Sequence, residues 1–199
     1  MSYSDFSIES LKNKFALKLI EDVALFPHIP PAQTPEHLAE LLPRYLSLAT
    51  NINTEKARSE LIIAPILAEF KFNFKGHISL FSGIEFNVDQ SVGLNGRCDF
   101  IISKSSEQLA LSAPVLMLVE AKNENIVGGI AQCIAEMIAA KRFNEAKGNP
   151  IETIYGVVTT GSLWRFLKLE AGLAYVDTIE YSVHSLDKIL GILTAVATI

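Results

Sequence analysis

The run VLMLVEAKNENIVGG, residues 115–129, decides how this chain is read. Val115 to Val119 is continuous apolar sequence, which suits a strand covered on both faces. With no turn residue between, it ends in Glu120 and Lys122. Burying an ion costs hydration, so a doubly covered strand seldom turns ionic without a chemical reason. Residues i and i+2 of a strand share a face, so the two charges project together. The plain alternative is a salt bridge at a strand end.

Working upstream, RCDFIIS, 97–103, reads as a second strand with Asp99 near its middle. Before it, SVGLNG, 91–96, is a turn with two glycines and an Asn. Before that, Leu80, Ile84, Phe86 and Val88 alternate with Phe81, Gly83, Glu85 and Asn87 as a strand. If the Asp99 and Glu120 strands are neighbours, the two carboxylates stand side by side. Adjacent carboxylates repel, and one stays protonated unless positive charge sits between them. A divalent cation supplies it, and Mg²⁺ takes one or two carboxylates with water and substrate phosphate. Lys122 can then hold or deprotonate the attacking water, or balance charge building on phosphoryl oxygens.

Downstream, Ile130, Ile134, Met137 and Ile138 mark the inner face of a long helix, 126–145. TIYGVVTT, 153–160, reads as a doubly buried strand, and LWRFLKL, 163–169, as an alternating one with Trp164 and Phe166 in the core. A last strand near Ala174–Asp177 and a helix capped near Ser185 complete the chain.

The first seventy residues read as helices. Ile8, Leu11, Phe15 and Leu19 recur at helical spacing, and PHIPPAQTP, 27–35, breaks the pattern. Thr34 with Pro35 starts a second helix through Leu38, Leu41 and Leu42, with a kink expected at Pro43. A third, 54–70, is capped by Thr54 and bent at Pro65, with Glu60 beside its inner face. The fold class expected is α/β: a mixed sheet flanked by helices, with an N-terminal helical extension.

A chain of 199 residues with formal charge −5 is expected to form one domain and is not a basic nucleic-acid-coating protein. Cys98 and Cys133 have no metal spacing and read as buried free thiols in a reducing compartment. The four His are scattered, no G-K-[ST] follows Gly128 and Gly129, and no G-x-S-x-G is present. Lys141, Arg142 and Lys147 favour the helix dipole, with a phosphate contact as the minority reading. ILGILTAVATI, 189–199, is too short to span a bilayer and reads as a buried or subunit-packing helix. The polar N-terminus carries no apolar signal core, so the cytoplasm is the expected location.

Glu60, Asp99, the Glu120-Ala121-Lys122 signature and Gln132 together resemble the PD-(D/E)XK nuclease superfamily. Within it, SELIIAPIL, GRCDFII, VEAKNENIVGGIAQCIAEM and TTGSLWRFLKL look most like the nuclease domain of type I restriction-enzyme R subunits and their standalone relatives. The resemblance implies a restriction-endonuclease-like αβββαβ core over 54–170, with 1–53 as the helical extension and 171–199 as a C-terminal strand and helix. It implies that Asp99, Glu120 and the Ala121 carbonyl ligate Mg²⁺, or Mn²⁺ in its place. Lys122 would orient or activate the water, and Glu60 would reach the metal directly or through water. Gln132 would support Lys122 or touch a phosphate. Cys98 stands where the family name has Pro, and no motor or target-recognition domain is visible. The activity implied is Mg²⁺-dependent hydrolysis of DNA, or of RNA, in restriction, defence or repair. The alternative is a catalytically silent binding or assembly protein of the same fold, dimerising or meeting a partner through the C-terminal helix.

Overall fold

The computed structural model describes residues 1–198; Ile199, the end of the apolar run 189–199, lies outside the described residues. In chain order the helices and strands are α1 (Ile8–Phe15), β1 (Lys18–Val23), α2 (Glu36–Ile52), α3 (Glu55–Arg58), α4 (Ala64–Asn73), β2 (Ser79–Glu85), β3 (Arg97–Ser103), β4 (Val115–Ala121), α5 (Ile126–Ala146), β5 (Thr153–Thr159), β6 (Leu163–Glu170), β7 (Leu173–Ser182) and α6 (Leu186–Thr198).

The strands form one mixed sheet in the order β1-β7-β6-β5-β4-β3-β2. The turn-linked pairs β2–β3, β5–β6 and β6–β7 are antiparallel, as is β3–β4. β4 and β5 are parallel, and the chain between them is α5. β4 is buried along its whole length, as VLMLV demands, and lies centrally with β3 and β5 at its sides.

Helices cover both faces of the sheet. Ile62, Leu67 and Phe70 from the α4 region, Leu38 and Leu42 of α2, and Ile189 and Leu193 of α6 pack on the face carrying Val119, Val157 and Phe166. Ile134 and Met137 of α5, Leu11 of α1 and Tyr3 pack on the face carrying Leu118, Ile101 and Val158. Trp164 and Phe166 are fully buried core residues, as their alternation implies. Cys98 and Cys133 are free and buried.

Thr54 caps α3 by accepting from the Ala57 N–H. A π-helical turn, Ser59–Ile63, joins α3 to α4, and the Ala64 N–H donates to the Ser59 carbonyl five residues back. Pro65 follows at once. It has no N–H to continue a regular ladder, so the bend expected there takes the form of a wider turn just before it. α2, by contrast, continues through Pro43 and ends at Asn53, whose φ of 54° is left-handed.

Three expectations about the ends need correction. The first seventy residues are not all helical. Ala16 turns left-handed and stops α1, and Leu19 enters β1, which pairs in parallel with β7 at the sheet edge. KLIEDV hides this because an edge strand keeps charges on both sides, which blunts the alternation and protects the edge. Residues 1–53 therefore contribute a strand to the sheet and are no purely helical extension. Finally, every Leu, Ile and Val of α6 among the described residues is buried in the chain's own core. That leaves α6 no apolar face for a second copy. No described helix is long and apolar enough to cross a membrane.

Candidate active site

The β3–β4 register sets Phe100 opposite Val119, so one step further Asp99 meets Glu120. Directly opposed residues of an antiparallel pair share a face. The Asp99 Oδ2 accepts from the Ala121 N–H at 2.8 Å, which fixes the carboxylate against the end of β4. Lys122 takes one more ladder step, its N–H donating to the Thr159 carbonyl at 2.8 Å. Its ammonium then folds back and donates to Glu120 Oε1 at 2.5 Å and to Gln132 Oε1 at 3.3 Å.

Gln132 reaches this point because Asn125 starts α5 there, its side chain accepting from the Gly128 N–H. Gly129 lets the lysine stem pass. A Cβ at that position would lie 2.7 Å from Val158 Cγ1 and 3.1 Å from Lys122 Cγ and Cε. The GG pair thus serves close approach of helix to lysine and strand, and does not cradle a phosphate. One turn along α5, Glu136 Oε1 accepts from Gln132 Nε2 at 3.2 Å. Glu120, Lys122, Gln132 and Glu136 form one hydrogen-bonded chain between β4 and α5.

The site is short of compensation. Glu120 Oε2 and Glu136 Oε2 are buried with no hydrogen-bond partner. Burial, then the Asp99 charge, pushes Glu120 up to about 7 despite the Lys122 ammonium on its other oxygen. Burial also raises Asp99 against the Ala121 hydrogen bond and the Lys122 charge that lower it. Glu136, with no exposed surface, is raised well above the carboxylate range by burial first and by Glu120 second. Burial works against the Lys122 ammonium, but Glu120, Glu55 and Asp99 outweigh it and hold the amine above its ordinary value.

Among the residues singled out from sequence, Asp99, Glu120, Lys122 and Gln132 are brought together. Glu60 sits apart from their hydrogen bonds; its side chain is 62% exposed and pairs with Lys56 at 3.4 Å. The helix carboxylate whose charge is felt at both Glu120 and Lys122 is Glu55, in the first turn of α3. TEKARSE offers two acids, Glu55 one residue and Glu60 six residues after the Thr54 cap, and the helical pattern does not say which of them lies nearer the strands. Two further residues escaped notice. Glu136 lies four residues beyond Gln132, on the same helix face, a spacing that could have revealed it. Arg58 is buried and forks to the Asn123 and Asn53 side chains, the Thr160 carbonyl and Ser162 Oγ. It clamps α3 against the segment after Lys122 and the β5–β6 turn. Arg142 pairs with Asp89 at 2.8 Å and lies over the Phe15 ring.

The donor set has the chemistry of a hard-cation site. Among the described residues no three His, Cys, Asp or Glu side chains converge as a metal-holding group. Mg²⁺ needs only one or two carboxylates, the rest coming from carbonyl, water and substrate. Asp99 and Glu120 are such a pair, and Glu120 offers a buried oxygen with nothing yet bonded to it. A cation there would relieve the burial that raises both groups and the Asp99 charge that adds to it at Glu120. The residues present fit Mg²⁺.

No family model matches the chain, and no curated protein matches it.

Proposed function

We propose that this chain is a Mg²⁺-dependent nuclease that hydrolyses DNA, with the restriction-endonuclease-like αβββαβ core implied by its resemblance to the PD-(D/E)XK superfamily. One observation carries the reading: Asp99 is tied to the end of the strand that delivers Glu120, and the Lys122 amine lies against that same glutamate. Two acids and an amine on adjacent strands are the parts that metal-assisted phosphodiester hydrolysis uses.

Asp99, Glu120 and the Ala121 carbonyl would hold the ion. When bound, Mg²⁺ supplies a Lewis acid for the phosphate and lowers the pKa of its water. The chain's own part falls to Lys122. In the metal-free fold three surrounding carboxylates favour its ammonium form, in which it donates hydrogen bonds. It orients the attacking water and steadies charge that builds on the phosphoryl oxygens. Gln132 holds the amine from the α5 side, and Glu55 adds negative charge at the mouth. DNA is the proposed substrate and the cytoplasm the proposed location. With a formal charge of −5, contact with a polyanion falls to the bound cation and local lysines.

The test is cleavage of plasmid and linear DNA with Mg²⁺ or Mn²⁺ by wild type, Asp99→Ala and Lys122→Ala. Nicking that both substitutions abolish supports the reading; equal activity in all three proteins removes these residues from catalysis. A second reading is a catalytically silent binding protein, favoured by the Lys122 ion pair that already engages one Glu120 oxygen. Calorimetry separates them. Mn²⁺ binding that vanishes in Asp99→Ala favours the enzyme, and no binding favours the silent fold.

A further inference from the structure

We infer that Glu136 is a positioning residue for Lys122, acting through the orientation of the Gln132 amide. For its effect on turnover, the inference rests on the proposed role of Lys122. The argument starts from what each group can donate. An ammonium only donates, whereas a glutamine amide has an accepting oxygen and a donating NH₂. For Gln132 to hold Lys122, its Oε1 must face the amine and its NH₂ must face away. A flipped amide would set donor against donor.

Glu136 decides between the two. Its Oε1 accepts from Gln132 Nε2 at 3.2 Å while Gln132 Oε1 accepts from Lys122 Nζ at 3.3 Å. A carboxylate oxygen, or the carbonyl oxygen of the neutral acid, accepts in either protonation state, so the orientation stands in both. The i, i+4 spacing on α5 keeps the pair on one helix face. Glu136 is wholly buried, and its second oxygen has no partner. An acid kept at that cost on a helix whose Ile134, Met137 and Cys133 are buried in the apolar core contributes more through polarity than through packing.

The test reads the Lys122 ammonium directly, by proton–nitrogen NMR of the side-chain NH₃⁺, alongside thermal unfolding. Wild type is expected to show a protected Lys122 resonance. Glu136→Met, similar in volume but without the acceptor, loses it. Glu136→Gln retains it, because its own carbonyl oxygen accepts from Gln132. The exchanged pair, Gln132→Glu with Glu136→Gln, also retains it, since residue 132 again accepts from Lys122. A resonance unchanged in Glu136→Met, or absent from wild type, overturns the inference. If Glu136→Met does not fold, Glu136→Gln decides: a folded protein that has lost the resonance overturns it. In the cleavage assay, Glu136→Met lowers kcat by about 10- to 100-fold at unchanged KM. A wild type that cleaves no DNA sinks the nuclease reading but leaves the resonance test intact.

Discussion

Two places in this molecule bury carboxylates completely, and they treat them in opposite ways. On β7, Asp177 accepts from the Leu25 and Ile179 N–H groups on one oxygen and from the Tyr181 hydroxyl on the other. Between β4 and α5, Glu120 and Glu136 each leave one oxygen bare. A buried acid with both oxygens bonded fixes a fold, here the join between the chain after β1 and the end of β7. A buried acid left short takes up a proton, as the side-chain hydrogen bond to Glu120 that raises Glu136 shows, or draws a cation.

The sharpest way to break this contrast is at Lys122. Lys122→Ala is expected to reduce cleavage by about 10²- to 10³-fold, the scale of losing one donor to a developing oxyanion. Its melting temperature should also fall by calorimetry, most at pH 8, because the buried Glu120 loses its partner. The next test is the mirror image. Asp177→Ala strands several donors and should cost about 3 kcal/mol or more in urea unfolding, while Mn²⁺ affinity measured on the folded variant stays at the wild-type value. If Asp177→Ala lost metal binding at full stability, the division between the two regions would fail.

Intermediate in size is the effect of pH. The Glu120 carboxyl lies at about 7 in the fold against 4.5 ordinarily, so the native state holds more protons between those values. Its stabilising contribution is complete below about pH 4.5 and is lost as pH rises through about 7. Asp99 and Glu136 are shifted the same way. The metal-free protein should therefore melt several degrees lower at pH 8 than at pH 5.5, and Mg²⁺ should recover much of the difference. Glu120→Gln should raise the melting temperature at pH 8 and flatten the profile. The smallest effect is expected from Gly129→Ala. Its methyl meets Val158 and the lysine stem, so it should cost about 1–3 kcal/mol of stability and displace Lys122 from Gln132, visible as a shifted side-chain resonance.

Much of this was legible in the sequence, and the residues show why. The all-apolar VLMLV can only be covered on both faces, and RCDFII beside it sets Asp99 opposite Glu120 once the strands pair. Cap and breaker residues did their work at Thr54, while Pro43 was absorbed into α2. β1 was not legible because its alternation is drowned by charge, and its existence depends on a neighbour more than 150 residues later. Glu55 drew no notice beside Glu60 because helical spacing tells which face a residue occupies but not which end of the helix brings its charge to bear on Glu120 and Lys122. Glu136 stayed hidden because a charged residue in a helix is usually a solvated one, and only the packing of α5 on β4 and β5 shows otherwise.

The π turn at Ser59–Ile63 has one more consequence. A helix advances about 100° per residue, so the extra residue it accommodates offsets the α3 end of the rod from the α4 end by roughly a quarter turn. α4 is gripped by the core through Ile66, Leu67 and Phe70, and α3 carries Glu55 and Arg58. Removing a single residue there, with the Asp99, Glu120 and Lys122 side chains untouched, would let the rod relax to regular pitch and swing that charge and that clamp out of alignment. The position of the Glu55 carboxylate relative to Glu120 and Lys122 is thus set by a count of residues, as the phase of a gear is set by its teeth.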